Sequence, residues 1–310
     1  MEDRYNKKIL LGQSGNALVM LLSILAVVFC IFKFILIVYN FTSPDKETLY
    51  QNFYGNIYSW FILPSDLGKL MTRPWTLLTY MFMHDGVWHF IGNMIWLWIF
   101  GFILQDLAGT SKIFPLFIYG SLSGAALFLL SMHLFPGLQH EAPLATLEGA
   151  SAGVMAIAVA TTVMAPGYRF FPMINGGIPL WVITAIYIVI DLAMMAGNDN
   201  TGGHLSHLGG AIFGFVFMRQ LKAGHDWGAG MNRLFNWIND LFNPEKKSWQ
   251  KTARRELHYK SAGTQPYKKV PTLTQKRIDE ILDKIGEKGY HQLTDEEKQL
   301  LKRAAEDDNL

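Results

Sequence analysis

Gly149-Ala150-Ser151-Ala152-Gly153 opens an apolar run that continues through residues 154–164 and stops at Pro166. A serine between small residues at the start of a hydrophobic helix normally just packs. This one begins a helix whose free N–H groups would face an apolar medium, and the helix is short for a bilayer crossing. Ser151 to Pro166 is about 15 steps, or roughly 22 Å at 1.5 Å per residue, against a hydrocarbon core about 30 Å thick. With Pro166-Gly167 near one membrane surface, Ser151 lies several Å below the other. A serine recessed that far needs a reason, and the rest of the chain supplies one.

Of 310 residues, 50% are hydrophobic, 14% aromatic and only 17% charged, against about 25% charged in a soluble domain. The deficit points to a membrane protein. Residues 9–222 are apolar, with few charges outside short loops, while 223–310 are strongly polar. A membrane body followed by a soluble tail is expected. A net charge of +2, without an aromatic-studded basic groove, argues against nucleic acid as a partner. Cys30 is the single cysteine, which excludes an intramolecular disulfide and argues against a cysteine-based metal site.

The expected fold is an all-α polytopic membrane protein, a six-helix transmembrane bundle with a small helical cytoplasmic C-terminal tail. Residues 17–38 are almost unbroken Leu, Val, Ile and Phe, long enough to span. They are too long for a signal-peptide core and lack a small-residue cleavage site, so they read as a retained first helix. Lys33 is expected to snorkel to the interface. Residues 40–75, with Tyr50, Phe53, Tyr54, Tyr58, Trp60 and Phe61 and the breakers Pro64 and Pro74, suit a loop half-immersed at the interface. Further spans are expected at 77–104, 113–135, 151–166, 178–196 and about 204–221. Six spans place both termini on one side. Arg4, Lys7, Lys8, Lys112, Arg169, Arg219 and Lys222 fall there, against Lys46, Lys69 and Arg73 opposite. The positive-inside preference makes that side cytoplasmic.

The expected divisions are a cytoplasmic N-terminus (1–16), the membrane domain (17–222), an amphipathic helix and polar linker (223–272) and a small helical tail (273–310). In the helix over 231–242, Leu234, Ile238 and Leu241, flanked by Phe235, Trp237 and Phe242, make an apolar face. Lys246, Lys247, Lys251, Arg254 and Arg255 follow. Such a helix either lies on the anionic cytoplasmic leaflet or packs on the protein's own loops. Beyond the linker, helical patterns run over 274–285, with Gly286 as the stop, and 294–305, with Thr294 and Glu297 as a capping box. Ile278, Ile281, Leu282, Ile285, Leu300 and Leu301 could close a hairpin. It is too small for a catalytic core, so an accessory role, docking an unknown cytoplasmic partner, is expected.

In this topology spans two, four and six all start at the outer face. His89 and Asn93 then lie in the first half of span two, Ser151 at the start of span four and His207 in the first turns of span six. His207 to Arg219 gives roughly 18 Å, so His207 and Ser151 fall within about one helical turn in depth. Such a site must admit water, because unpaired polar groups in hydrocarbon cost several kcal/mol. The spacings Gly149/Gly153, Ala152/Ala156/Ala160 and Gly210/Gly214 would let spans four and six approach closely.

Ser151 becomes a nucleophile only if a base takes its proton, and His207 is the candidate base. The oxyanion formed on a carbonyl needs donors placed in advance. The free N–H groups at Ser151, the helix dipole, the Asn93 amide and the His89 imidazole can supply them. This acyl-transfer set needs no metal or cofactor. Asp191, an intramembrane carboxylate, could orient His207. A residue so near a helix end also reaches loop donors or water, and it stays outside the expected catalytic set. His84, His89, His204 and His207 raise a metal reading, but the H-E-x-x-H pattern of zinc peptidases is absent.

Three motifs carry a family resemblance: His84-Asp85-Gly86-Val87-Trp88-His89-Phe90-Ile91-Gly92-Asn93, Gly149-Ala150-Ser151, and His207-Leu208-Gly209-Gly210-Ala211-Ile212-Phe213-Gly214. With these the chain resembles the rhomboid intramembrane serine proteases of bacterial type, over roughly residues 45–222. The resemblance implies cleavage of peptide bonds in or beside transmembrane segments of substrate proteins in the inner (plasma) membrane, among lipids, with no cofactor. Ser151 matches the nucleophile and His207 the base of a Ser–His dyad. His89, Asn93 and the Ser151 N–H match the oxyanion hole.

Three departures stand out. The family's G-x-S-G reads Gly149-Ala150-Ser151-Ala152, and close packing is expected to survive the extra methyl. Trp75-Thr76 replaces a frequent Trp-Arg, so loop anchoring by that arginine is expected to be missing. Met155 stands where bacterial members can carry a tyrosine against the catalytic histidine, a space methionine can fill with looser orientation. Two other classes compete: a catalytically silent rhomboid-like membrane-protein binder, and a channel or transporter, for which inverted repeats are lacking.

Overall fold

The computed structural model describes residues 16–170, 176–195, 200–242 and 275–306. The chain divides into two compact units, Met1–Leu241 and Phe242–Leu310.

The first unit is built from apolar helices: α1 (Ala17–Thr42), α2 (Val87–Ala108), α3 (Ile113–Leu134), α4 (Ser151–Met164), α5 (Leu180–Met195) and α6 (Thr201–Lys222), followed by α7 (Ala229–Phe242). Helices α1, α2 and the Thr110–Leu134 segment containing α3 are long and apolar enough to cross a membrane, and α4 and α5 are shorter apolar helices. Large apolar side chains such as Phe34, Phe41, Trp88, Ile95, Trp181 and Val189 point outward. Water does not support such a surface, and lipid does. The chain is an all-α polytopic membrane protein.

Helix α4 is the central post, with every residue from Ser151 to Thr161 buried. Glycines on its neighbours make that possible. A Cβ on Gly210 or Gly214 of α6 would fall on the carbonyl oxygens of Ala152 and Ala156, and one on Gly124 of α3 would lie 2.6 Å from the Ala152 Cβ. The expected close approach of α4 and α6 is therefore present. Gly153, expected on the same seam, instead faces α3, where its Cβ would meet Phe117 and Ser121.

The span expected over 77–104 is interrupted. A short helix, Thr76–Thr79, and a 3-10 turn, Tyr80–Phe82, precede extended backbone at Met83 and Gly86, and α2 begins only at Val87. Tertiary bonds cause the break: the Tyr80 carbonyl accepts the Gly149 N–H (3.0 Å) and its hydroxyl donates to the Ser121 carbonyl (2.5 Å). His84 consequently sits in a loop. Helix α5 starts at Leu180 because Ile178–Pro179 pairs with Arg169–Phe170. Helix α6 starts at Thr201, capped by the Asn200 side chain on the Gly203 N–H (3.2 Å).

Helix α7 rests Phe235 on Phe114 of α3, with ring centroids 5.7 Å apart, while Leu234 and Trp237 stay exposed. Of the two readings for this helix, packing on the protein's own body accounts for the inner face. The basic residues expected after it, Lys246 to Arg255, the linker 261–272 and the N-terminal Arg4, Lys7 and Lys8 lie outside the described residues.

In the second unit, α8 (Gln275–Lys288) and α9 (Asp295–Glu306) close a hairpin. The capping box is present: Thr294 N–H donates to Glu297 Oε2 (2.8 Å) and Glu297 N–H to Thr294 Oγ1 (3.3 Å). Ile281, Leu293 and Leu300 form the small core, with Ile285 and Leu301 against it, while Leu282 is exposed. Gly286 does not stop the helix. That falls to Gly289, whose φ of +81° favours a residue without Cβ.

Candidate active site

Ser151 is the first residue of α4, and the turn before it is held from both sides. Gly149 has φ +107°, where a Cβ is costly. A Cβ there would also lie 2.8 Å from His89 Cε1 and 3.0 Å from Nε2. The Ala150 N–H donates to His84 Nε2 (3.2 Å), and so does the Asn93 amide (3.3 Å). An Nε2 that accepts twice leaves the ring proton on Nδ1. Burial, then the neighbouring His89, holds the pKa of His84 down to about 3, so the ring stays neutral and keeps both donors. Gly149→Ala is expected to push His89 aside. A Cβ at this φ costs about 1–2 kcal/mol, so the variant should melt below wild type in mild micelles while still inserting.

The histidine of α6 closes the site. His207 Nε2 lies 2.6 Å from Ser151 Oγ, and its Nδ1 lies 2.7 Å from Asp191 Oδ1 on α5. A carboxylate only accepts, so Nδ1 carries the proton and Nε2 presents its lone pair to the serine hydroxyl. That is the arrangement by which a base takes a serine proton. His204, one turn earlier, aims its Nδ1 at the same carboxylate oxygen (2.8 Å). Asp191 thus accepts from both histidines of α6, and the contact from Ser151 to His207 continues to this carboxylate. The default functional reading of an intramembrane carboxylate was the signal that could have found it.

The oxyanion donors are unequally prepared. The Ser151 N–H lies in the first helical turn, where backbone donors have no intrahelical acceptor. His89 is exposed, with its ring edge against Gly149. Asn93 is buried, and its amide nitrogen donates to His84 Nε2 and to the His89 carbonyl (3.1 Å). Its two protons are therefore engaged at rest, and it serves an oxyanion only by releasing one. The structure brings Ser151, His207 and His89 together, and holds the Asn93 amide on His84 and the His89 carbonyl.

A second polar group braces the serine turn, and the sequence reading passed over it. Glu148, directly before Gly149, accepts the Tyr58 hydroxyl on Oε2 (2.5 Å) and the Asp85 N–H on Oε1 (3.1 Å). The Asp85 carboxylate in turn accepts Lys33 Nζ (3.1 Å) and the Tyr54 hydroxyl (3.0 Å). Lys33, expected to snorkel, is instead half of an ion pair joining α1 to this loop. The pairing of Leu63–Pro64 with Thr146–Leu147 ties the first loop to the same turn. Burial raises the Glu148 pKa above 4.5, with the Asp85 charge adding to it and Tyr58, the Asp85 N–H and Lys33 opposing. A raised carboxyl favours the fold fully below the unfolded pKa, and that contribution is lost as pH rises through the folded value. The melting temperature should therefore fall as pH climbs from 4.5, and Glu148→Gln should flatten that decline. Glu148→Ala, which strands the Tyr58 hydroxyl and the Asp85 N–H, should cost about 1–3 kcal/mol by urea unfolding in mild micelles.

Residues 71–222 match the Rhomboid domain family. The chain belongs to the rhomboid family. Rhomboid-related protein 1 of Caenorhabditis elegans is 26% identical over 161 residues, 48% of this chain and 40% of the relative. RHOMBOID-like protein 12, mitochondrial, of Arabidopsis thaliana is 26% identical over 161 residues, 49% of this chain and 48% of the relative. The chain thus spans less than half the length of each. Residues 265–307 match a family of unknown function.

The departures from the rhomboid pattern now have physical accounts. Ala152 is accommodated because the facing positions, Gly124 and Gly210, lack a Cβ. Thr76 supplies no arginine anchor at that position, and Arg73, three residues earlier, holds the loop by other contacts. The Arg73 guanidinium stacks 4.0 Å over Trp60 and donates to the Ser59 carbonyl (3.2 Å), and Trp75 Nε1 donates to the Trp60 carbonyl (2.8 Å). Met155 is buried with Val159 and Ala211, and the half-buried Tyr187 of α5 joins that cluster, so an aromatic reaches the region from a different helix.

Proposed function

We propose that this rhomboid-family protein is an intramembrane serine endopeptidase that hydrolyses peptide bonds in or beside transmembrane segments of other membrane proteins. The observation that carries this reading is Ser151 Oγ at 2.6 Å from His207 Nε2, with Nδ1 of the same ring at 2.7 Å from Asp191. Ser151 Oγ attacks the scissile carbonyl as its proton passes to Nε2. The oxyanion is met by the Ser151 N–H, His89 and a released Asn93 amide proton. The imidazolium returns its proton to the leaving amine, and the C–N bond breaks. A water then gives its proton to Nε2, its oxygen attacks the acyl ester, and Ser151 leaves with the proton restored.

In this reading α1 to α6 are six membrane crossings with cytoplasmic termini in a plasma membrane. Helices α2, α4 and α6 start from the outer face, and lipids surround the body. The tail is an accessory hairpin for a cytoplasmic partner.

The test is a fluorophosphonate probe, which labels only an activated serine, applied beside cleavage of a single-span reporter protein. Wild type should label and cleave, and Ser151→Ala should do neither. An unreactive Ser151 in well-folded protein would leave a membrane-protein binder. Cleavage retained by Ser151→Ala would sink the proposal.

A further inference from the structure

The unexplained member of the site is His204. It is buried and aims its Nδ1 at an oxygen that His207 already occupies. Ordering a catalytic histidine needs one partner, and here a second imidazole shares it. Asp191, His204 and His207 each offer one ligand atom, and these atoms lie within 4.8 Å of one another. The two nitrogens come from one helix at i, i+3 and the oxygen from the next helix, so three donors converge from two sides.

We propose that Asp191, His204 and His207 form an inhibitory site for a borderline divalent metal, with Zn²⁺ as the fitting ion. This rests on the protease reading for its effect on rate, though not for binding itself. Two imidazoles and a carboxylate suit Zn²⁺, whereas Mg²⁺ and Ca²⁺ prefer all-oxygen sets. Zinc bonds of about 2.0–2.1 Å put tetrahedral ligand atoms about 3.3 Å apart. The present N···O separations of 2.8 and 2.7 Å would widen by about 0.5 Å to admit the ion, with a water as fourth ligand.

Inhibition follows from where the protons go. At rest both Nδ1 atoms carry a proton, and His207 Nε2 holds a free lone pair toward Ser151. Zinc takes the Nδ1 lone pair of each ring, and each Nδ1 proton is replaced by one on Nε2, exchanged through solvent. Both rings stay neutral. His207 now donates Nε2–H to Ser151 Oγ and cannot accept its proton, so the base is gone while the serine remains in place. This gives His204 a purpose: it does not touch Ser151, yet without it the metal would have only two protein ligands.

The experiment uses the full chain in detergent micelles, stripped with a chelator. Zn²⁺ should inhibit reporter cleavage reversibly, chelator should restore it, and Mg²⁺ should do nothing. His204→Gln should raise the Zn²⁺ concentration for half-inhibition at least about tenfold, scaled to its own uninhibited rate. Binding is read without activity by adding Co²⁺ to Ser151→Ala and recording visible absorption, which should appear there and vanish in Ser151→Ala/His204→Gln. If the glutamine variant does not fold, X-ray absorption of zinc-loaded Ser151→Ala should still show two imidazole nitrogens and a carboxylate oxygen at about 2.0–2.2 Å. Absorption bands without any wild-type cleavage would sink the protease reading and leave the metal site standing. Inhibition unrelieved by His204→Gln, a spectrum lacking imidazole, or zinc activation that survives Ser151→Ala would overturn the proposal.

Discussion

Ser151→Ala and His207→Ala are each expected to reduce reporter cleavage by on the order of 10⁴–10⁶, and the double variant by no more than either alone. The reason is the single 2.6 Å contact between Oγ and Nε2. A serine without its base is a neutral alcohol, and a base without the serine has no proton to take, so the two side chains act as one device. Independent contributions would multiply. The remaining rate should reflect only what the backbone N–H of residue 151, His89 and Asn93 still do for an oxyanion. The check is a complete single- and double-variant cycle on kcat, with extraction yield and melting temperature as controls for folding. Losses that multiply in the double variant would mean that serine and histidine serve separate steps, and the proposed chemistry would fall.

The helices and the meeting of Ser151, His207 and His89 were legible because one-dimensional rules govern them. Apolar run length marks a helix, and rise per residue gives the depth at which a group is expected, so groups at the starts of α2, α4 and α6 were expected at one level. Close packing was legible too, since Gly210 and Gly214 stand where a Cβ would strike carbonyls of α4. What escaped the sequence depended on direction around a helix or on contact between distant loops. Asp191 could be placed in depth, but whether it faced lipid or α6 turns on about 100° of rotation per residue, which apolar α5 does not reveal. The Glu148, Tyr58 and Asp85 cluster joins residues up to 90 positions apart. The break before α2 arose from Tyr80 bonding Gly149 and Ser121 across the fold, where local pattern favoured an unbroken span. Residue type alone points to Gly286 as the stop, whereas Gly289 has the required φ.

Asp191→Asn is the variant that separates a triad from a dyad. In the wild-type protein Asp191 Oδ1 accepts Nδ1–H from His207 (2.7 Å) and from His204 (2.8 Å), and this fixes the His207 tautomer whose Nε2 faces Ser151. Asparagine offers one accepting oxygen and an NH₂ of the same size. With the NH₂ toward α6, Nδ1 must accept, the ring proton moves to Nε2, and the base is lost. With the oxygen toward α6 the tautomer survives, but the imidazolium formed in the transition state loses its counter-charge. Complete loss of the tautomer costs about 10⁴ in soluble serine protease triads. A mixture of the two amide orientations should therefore bring kcat down by roughly 10²–10⁴ while KM stays close to wild type, because Asp191 touches the base and not the substrate. Asp191→Glu, which keeps the charge on a longer arm, should recover part of that loss, which a purely space-filling role would not predict. A kcat for Asp191→Asn within about threefold of wild type would show that Ser151 and His207 suffice as a pair, and that the carboxylate serves only to join α5 to α6.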